Sequence, residues 1–89
     1  MGYRIELGEI ENAANNIENV IICACVYDTE KSQIVLFYQG DELDETEVLT
    51  EIKNKVPTYM CPNKIIKLPR MPYNANGKID RVNLKNMLK

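Results

Sequence analysis

A nearly unbroken apolar run over residues 20–27 constrains the fold of this chain more than any other stretch. The run is rich in β-branched residues and too short for a long helix, so it predicts a buried central strand. A polar turn over residues 28–32 separates it from a second apolar run over residues 33–39. Two such runs joined by a short polar turn predict an antiparallel hairpin.

Helical patterns flank this hairpin on both sides. Apolar residues recur at helical spacing over residues 7–17, which predicts a first helix, and residues 2–7 are predicted to form a short extended segment. Asp44 followed by Glu47 has the form of a capping box. It predicts the start of a second helix, which must end near Pro57 because the residue before a proline avoids the helical conformation.

The C-terminal third of the chain adds a strand, a turn and a helix. Residues 64–68 alternate and are flanked by lysines, as in an edge strand. The dipeptide Asn76-Gly77 predicts a tight turn, and Asp80 is a favourable N-cap for a short final helix. The predicted order is β-α-β-β-α-β-α, counting the opening extended segment, and the predicted class is α+β. We expect a single domain over residues 1–89, with three helices on a small, largely antiparallel three-stranded sheet.

Three cysteines and the absence of histidine limit the chemistry that this sequence predicts. Cys23 and Cys25 have strand spacing, so both should face one side of the sheet as buried free thiols, and Cys61 makes the count odd. Free thiols of this kind predict a reducing cytoplasm. Without histidine or a C-x-x-C pair, no metal site is expected. We also expect no membrane span and no signal peptide, because no apolar run approaches the ~20 residues of a span.

Charge is divided sharply along the chain. Residues 1–51 hold two basic and 12 acidic residues, a net charge of −10, whereas residues 52–89 hold nine basic residues and one acidic residue, a net charge of +8. Such asymmetry occurs in nucleic-acid-binding proteins, but few aromatic residues accompany the basic ones to stack on bases. We therefore expect a solvated basic face, or one that meets an anionic small molecule or an acidic protein, and no nucleic-acid partner.

Three glutamates, Glu6, Glu9 and Glu11, lie close enough in sequence to be taken for paired catalytic carboxylates. They precede or begin the first predicted helix, where the helix dipole favours acidic side chains, so we interpret them as structural. Between two prolines, Tyr59 and Met60 predict either a plug for the core or a wedge for an interface.

Lys78 is the strongest candidate for a functional side chain. The Asn76-Gly77 bend precedes it and the predicted N-cap Asp80 follows it, so its ammonium should project from a fixed base. A compact charge on a flexible stem suits a phosphate or a carboxylate. The turn alone leaves open that Lys78 is only a solvated lysine.

Three stretches resemble motifs of one family, in the same order and at matching separations. Residues 2–11 resemble the motif G-x-R-I-E-x-x-E-I-E, residues 56–62 resemble L-P-x-Y-M-x-P, and residues 76–81 resemble N-G-K-x-D-R. These motifs belong to the C-terminal subdomain of adenylate-forming enzymes, a superfamily of acyl-CoA synthetases, luciferases and the adenylation domains of nonribosomal peptide synthetases. The departures are mild, with Val56 in place of leucine and Cys61 in place of an aliphatic residue.

The first two motifs most resemble those of amino-acid adenylation domains, including D-alanine-activating ligases, although acyl-CoA and aryl-acid ligases remain open. The resemblance implies two half-reactions. With ATP and Mg²⁺, a carboxylic acid first becomes an acyl-adenylate and pyrophosphate is released; a phosphopantetheine thiol on an acyl or peptidyl carrier protein, or CoA, then takes the acyl group. The resemblance also implies a large N-terminal adenylation subdomain that binds ATP and substrate, relative to which the C-terminal subdomain rotates between the two steps.

By its place in the third motif, Lys78 is implied to enter the active site for adenylation and to bridge the substrate carboxylate to phosphate or ribose oxygens. Asn76 and Gly77 are implied to shape the loop that carries it. The isolated chain is then expected to be inactive, because one lysine on a loop cannot hold ATP together with its metal ion.

After the rotation, the segment Gly2-Tyr3-Arg4 is implied to face the site for the thioester step. Gly2 has no side chain and would let the pantetheine arm pass close to the backbone. Two alternatives stay open. The domain could be a binding module that docks on another protein through its basic face without a part in catalysis, and a weaker alternative is nucleic-acid binding.

Overall fold

Residues 6–88 are described by the structure, a computed structural model. The helices are α1 (Leu7–Asn15), α2 (Glu45–Lys53) and α3 (Arg81–Asn86), and the strands are β1 (Ile22–Asp28), β2 (Gln33–Gln39) and β3 (Lys64–Lys67). One turn of 3₁₀ helix, Thr58–Met60, precedes β3. No helix in this part of the chain is long and apolar enough to cross a membrane. The predicted α+β class is confirmed; residues 2–5 of the predicted opening segment lie outside the described residues, and Leu7 already belongs to α1.

The three strands form one mixed sheet in the order β1-β2-β3. β1 and β2 are antiparallel along their whole length, from the Ile22–Gln39 pair at one end to the Asp28–Gln33 pair at the other. β3 runs parallel to β2 and pairs over a shorter stretch. The sheet is therefore largely antiparallel, as predicted, and β3 lies at an edge, as its flanking lysines indicated.

The prediction that residues 20–27 form a central strand is wrong. In the described sheet β2 is central and β1 lies at an edge. Residues 23–26 of β1 are nevertheless buried, because helices cover both faces of the strand: α1 packs on one face and α3 on the other. A strand that is buried on both faces shows a continuous apolar run whether it is central or at an edge.

Alternate residues of β1 and β2 point into two separate hydrophobic clusters. The first cluster lies between the sheet and helices α1 and α2, and the second lies between the sheet and α3. β1 contributes Cys23 and Cys25 to the first cluster and Ala24 and Val26 to the second, as the two-residue period of a strand requires. The helices contribute Ile10, Ala14, Val48 and Ile52 to the first and Leu84 to the second.

Polar side chains fix the starts of two helices as the sequence predicts. The Asp44 carboxylate accepts from the Glu47 N–H at 2.8 Å, and the Glu47 carboxylate accepts from the Asp44 N–H at 3.1 Å, which completes the capping box of α2. Asp80 caps α3 by accepting from the Asn83 N–H at 3.0 Å. The boundaries are less accurate, since α1 ends at Asn15, earlier than predicted.

Between the two prolines, Met60 and Tyr59 take different positions. Met60 is 5% exposed and packs into the first cluster. Tyr59 next to it is 47% exposed. Met60 is therefore the predicted core plug, and Tyr59 lies at the surface.

A close backbone approach follows β2. Gly40 is buried directly after the strand, and a β-carbon built on it would lie 2.4 Å from the carbonyl oxygen of Asn19. Asn19 takes a φ of 78° in the connection between α1 and β1. Beside this crossing the Ile21 N–H donates to the Gln39 carbonyl oxygen at 2.8 Å. The crossing therefore requires glycine, although the sequence pattern indicates only the end of a strand at this position.

Candidate functional site

A small β-hairpin between β3 and α3 carries Lys78. Tyr73 and Ile79 pair in an antiparallel bridge at its open end. The Asn74 N–H donates to the Lys78 carbonyl oxygen at 2.8 Å, and the Gly77 N–H donates to the Asn74 carbonyl oxygen at 3.0 Å. Gly77 takes a φ of 79°, which glycine adopts with little strain. The predicted Asn-Gly turn is confirmed, and Lys78 lies on its return arm.

The Asn74 side chain stiffens the tip of this hairpin. Its Oδ1 atom accepts from the N–H of Asn76 at 2.9 Å and from the N–H of Lys78 at 3.1 Å. One amide thus holds the backbone on both sides of Gly77. Asn74 is not among the predicted site residues, although asparagine side chains commonly bond to the backbone two residues further on.

The first arm of the hairpin is tied to the core. Met71 is fully buried in the second cluster, and its N–H donates to Oε1 of Gln39, the last residue of β2, at 2.9 Å. The Asp80 N–H donates to the Pro72 carbonyl oxygen at 3.0 Å and closes the base of the hairpin. Gln39 and Met71 are 32 residues apart, and no sequence pattern connects them.

Where the second arm of the hairpin ends, Arg81 begins α3, and its side chain contacts α1 and β1. Its Nη1 atom donates to Oε2 of Glu11 at 2.7 Å and to the Cys25 carbonyl oxygen at 3.1 Å. The same Oε2 atom accepts from the Cys25 N–H at 2.7 Å. The hydrogen bond that Arg81 donates to the Glu11 carboxylate raises the pKa of the Arg81 guanidinium above its usual value. These bonds join one residue from each of α1, β1 and α3.

Glu11 therefore has a different role from the one that its position suggested. Glu9 lies in the first turn of α1, where the helix dipole favours an acid, as predicted. Glu11 lies beyond that turn, its side chain is 18% exposed, and it binds Arg81 and Cys25. The ion-pair partner is 70 residues away, so no local pattern could have identified it.

Cys23 and Cys25 are buried free thiols on one side of the sheet, as predicted. Burial raises the pKa of each thiol from 9.0 to about 12, with a smaller contribution from the nearby Glu11 carboxylate. The Cys23 thiol also donates to the Glu11 carbonyl oxygen at 3.3 Å. Because only the thiolate is a strong nucleophile, both cysteines are structural at neutral pH. Cys61 is half-buried.

Lys78 itself is exposed, while the hairpin that carries it is fixed at its tip and at both ends. An exposed ammonium on a fixed backbone can meet an anion held by another surface. Within residues 6–88, no group of three or more His, Cys, Asp or Glu residues is arranged to hold a metal ion. Gly2, Tyr3 and Arg4 lie outside the described residues, so their role stays a prediction.

Fold and hairpin together define the class of protein, a small α+β domain that presents a lysine on a fixed hairpin. Comparison with known proteins then identifies the family. The chain belongs to the AMP-binding enzyme C-terminal domain family, whose family model matches residues 9–78. The predicted membership of the adenylate-forming enzymes is confirmed, as is the resemblance to adenylation domains of nonribosomal peptide synthetases.

Several relatives are parts of much larger proteins. The chain is 40% identical over 83 residues to one of the mycosubtilin synthase subunits of Bacillus subtilis, covering 90% of this chain and 3% of the relative. It is 41% identical over 85 residues to the L-proline–(L-prolyl-carrier protein) ligase of Streptomyces coelicolor, covering 89% and 16%. The crystal structure of a holo four-domain nonribosomal peptide synthetase bound to AMP and glycine matches with a TM-score of 0.79 and 33% identity, covering 91% of this chain and 6% of that one. The chain thus spans a small part of the length of these relatives.

Proposed function

We propose that this chain is the C-terminal lid of an ATP-dependent ligase that activates a carboxylic acid as an acyl-adenylate. The observation that carries the proposal is the placement of Lys78, exposed on a hairpin that is fixed at its tip and at both ends. Relatives that are peptide synthetase subunits or an amino-acid ligase support an amino acid as the substrate.

Lys78 would act in the adenylation step. A carboxylate oxygen of the substrate attacks the α-phosphorus of ATP, and the bond from that phosphorus to the pyrophosphate oxygen breaks. Both reactants are anions and repel one another. The Lys78 ammonium, placed between the substrate carboxylate and the phosphate or ribose oxygens, would hold them in reach and offset the charge that develops. Asn76 and Gly77 would shape the loop that presents it.

ATP and Mg²⁺ would be bound mainly by another part of the parent protein. The Lys78 hairpin can supply a cation to a phosphate oxygen, but residues 6–88 contain no group of three or more His, Cys, Asp or Glu residues placed to hold a metal ion. A large N-terminal adenylation subdomain in the same parent chain is the proposed partner. This agrees with the small share of the relatives' length that the chain spans.

For the second step we propose transfer of the acyl group to the phosphopantetheine thiol of a carrier protein. The thiol loses its proton to solvent, its sulfur bonds to the acyl carbon, the bond from that carbon to the AMP oxygen breaks, and AMP leaves. Gly2, Tyr3 and Arg4 would face the site after a rigid-body rotation of the lid, and Gly2 would leave room for the pantetheine arm. The carrier protein in the name of one relative supports this acceptor over CoA. The lid of an acyl-CoA or aryl-acid-CoA ligase is the alternative.

The experiment that tests this function is ATP–pyrophosphate exchange by the full-length parent with a panel of amino acids and other carboxylic acids. Wild type is compared with Lys78→Ala and with Lys53→Ala, which removes an exposed lysine from α2 on the opposite face of the sheet. We expect Lys78→Ala to lose about 10²-fold or more in exchange rate, as for a group used in positioning and charge stabilisation. Lys53→Ala should exchange like the wild type.

The outcomes separate the candidate functions. Exchange stimulated by an amino acid supports the proposal, whereas stimulation by a fatty or aryl acid favours the CoA-ligase alternative. If folded Lys78→Ala exchanges as fast as the wild type, Lys78 has no catalytic part, and the domain would have to serve as a docking module.

A further inference from the structure

We infer that Arg81, held by Glu11, is a positioning residue that fixes the place of Lys78, an inference that rests on the proposed role of Lys78 in adenylation. Arg81 follows Lys78 closely in the chain and is the first residue of α3. Any displacement of Arg81 is therefore passed to the hairpin. Its hydrogen bonds to Glu11 and to the Cys25 carbonyl oxygen join that point to α1 and β1.

α3 is short and buries little of its own surface, so an additional anchor affects its position. The helix has six residues, and Leu84 alone among its described residues is buried. Helices this short are not stable without tertiary contacts. Val82 and Met87 are 70% and 46% exposed and add little burial. On either side of the helix, Ile79 and Leu88 are only partly buried against the same cluster. With Leu84 as its one buried residue, α3 can still rotate about that side chain, and the hydrogen bonds of Arg81 oppose the rotation.

Glu11 is a fixed point for this anchor. Ile10 and Ala14 on the same helix are fully buried and hold α1 against the sheet. The Glu11 carboxylate is also fixed by the Cys25 N–H at 2.7 Å. The ion pair is therefore asymmetric: the α1 side keeps its place without Arg81, whereas the α3 side loses its anchor.

The inferred effect is on position more than on stability. The Arg81 side chain is 47% exposed, and ion pairs this accessible contribute little to the free energy of unfolding. A catalytic group that is misplaced by about 1 Å can lose about 10²-fold in rate. Without Arg81, the hairpin would stay tied to the core through the Gln39–Met71 hydrogen bond and the partly buried Ile79. Lys78 would therefore shift by a small distance, as a positioning effect requires.

The test measures ATP–pyrophosphate exchange in the full-length parent, with the acid that stimulates it best. Four variants are compared: Arg81→Met, Lys78→Ala, the double variant of both, and Lys85→Met, which removes an exposed charge of the same sign from α3. We expect Arg81→Met to lower kcat by about 10-fold to 100-fold while the KM values for ATP and acid change less than about twofold. Lys85→Met should change neither, and thermal unfolding checks that each variant is folded.

The double variant separates positioning from general damage. If Arg81 acts through Lys78, adding Arg81→Met to Lys78→Ala should slow exchange no further, because effects that pass through one group are not additive. A further loss by the same factor would mean that Arg81 acts independently of Lys78, and it would overturn the inference.

A second variant keeps the test decisive if Arg81→Met does not fold. Glu11→Gln removes the charge that holds Arg81 but keeps an oxygen for the Cys25 N–H, and the same fall in kcat is expected. If the folded Arg81 or Glu11 variant exchanges at the wild-type rate, only the positioning role is contradicted. Wild-type exchange by Lys78→Ala contradicts the proposed function itself, so the two failures are distinguishable.

Discussion

Replacement of Gly40 by alanine should lower the free energy of unfolding of this domain. The new β-carbon would lie 2.4 Å from the Asn19 carbonyl oxygen and 3.5 Å from the Val20 α-carbon. The first distance is far inside van der Waals contact, and the atom that it meets belongs to the backbone and cannot rotate away. The two segments are also held together by the 2.8 Å hydrogen bond from the Ile21 N–H to the Gln39 carbonyl oxygen.

The size of the effect follows from the displacement that alanine requires. Real β-carbon contacts essentially never fall below 3.0 Å. The new β-carbon and the Asn19 carbonyl oxygen must therefore move from 2.4 Å apart to at least that distance. Overpacking of this kind typically costs about 1–3 kcal/mol. Gly40 does not take a positive φ, so alanine can adopt its backbone conformation without strain. Alanine also reduces the conformational entropy of the unfolded chain, which stabilises the folded state by about 0.4–1 kcal/mol. We expect a net destabilisation of about 1–2 kcal/mol.

The other two described glycines provide matched controls. A β-carbon on Gly8 meets nothing within 4 Å, and this residue lies in α1, so Gly8→Ala should stabilise the domain by about 0.5–1 kcal/mol through helix propensity. Gly77 has the same open space but a φ of 79°. Gly77→Ala should therefore cost about 1–2 kcal/mol through backbone conformation alone.

Urea unfolding of the 89-residue chain, followed by circular dichroism, gives the free energy of unfolding and the m-value of each variant. The opposite signs expected for Gly8→Ala and Gly40→Ala are the decisive result, since both replace glycine by the same residue. If Gly40→Ala is as stable as the wild type at an unchanged m-value, the crossing at Asn19 does not exclude a methyl group and the reasoning is refuted.

Two further predictions concern pH and activity. Because the folded domain holds the pKa of Cys23 and Cys25 at about 12 rather than 9.0, their stabilising contribution is complete below pH 9 and is lost as the pH rises toward 12. The urea concentration at the unfolding midpoint should decrease as the pH rises above 9, and the decrease should be smaller when Cys25 is replaced by alanine. An equal decrease in that variant would show that the Cys25 thiol does not cause the pH dependence. Separately, the 89-residue chain alone should show no ATP–pyrophosphate exchange under conditions in which the full-length parent does, and robust exchange by the chain would show that it binds ATP by itself.

Local signals explain the part of the fold that could be predicted. The strand pair β1–β2 follows from two apolar runs around a polar turn, and the helix starts follow from Asp44, Glu47 and Asp80. Each of these signals acts over a few residues, so the sequence contains it directly. The Asn76-Gly77 turn belongs to the same group, and with it the projection of the lysine that follows.

The contacts that hold the candidate site could not be predicted in this way. Gln39 bonds to Met71, and Glu11 bonds to Arg81, across 32 and 70 residues of chain. Such partners are chosen by how the elements pack, which neither periodicity nor turn chemistry records. The prediction of a central strand over residues 20–27 is wrong because strand order also depends on packing. Burial of both faces gives an edge strand the same continuous apolar pattern as a central strand.

The bonds around Cys25 also bear on self-association. β1 is an edge strand of the described sheet, and an open strand edge can recruit a strand from another molecule and so begin aggregation. At Cys25 the N–H and the carbonyl oxygen are occupied by Glu11 and Arg81. An incoming strand would have to displace a charged pair before it could bond there. The two side chains that anchor α3 thus also protect the sheet from the addition of a foreign strand.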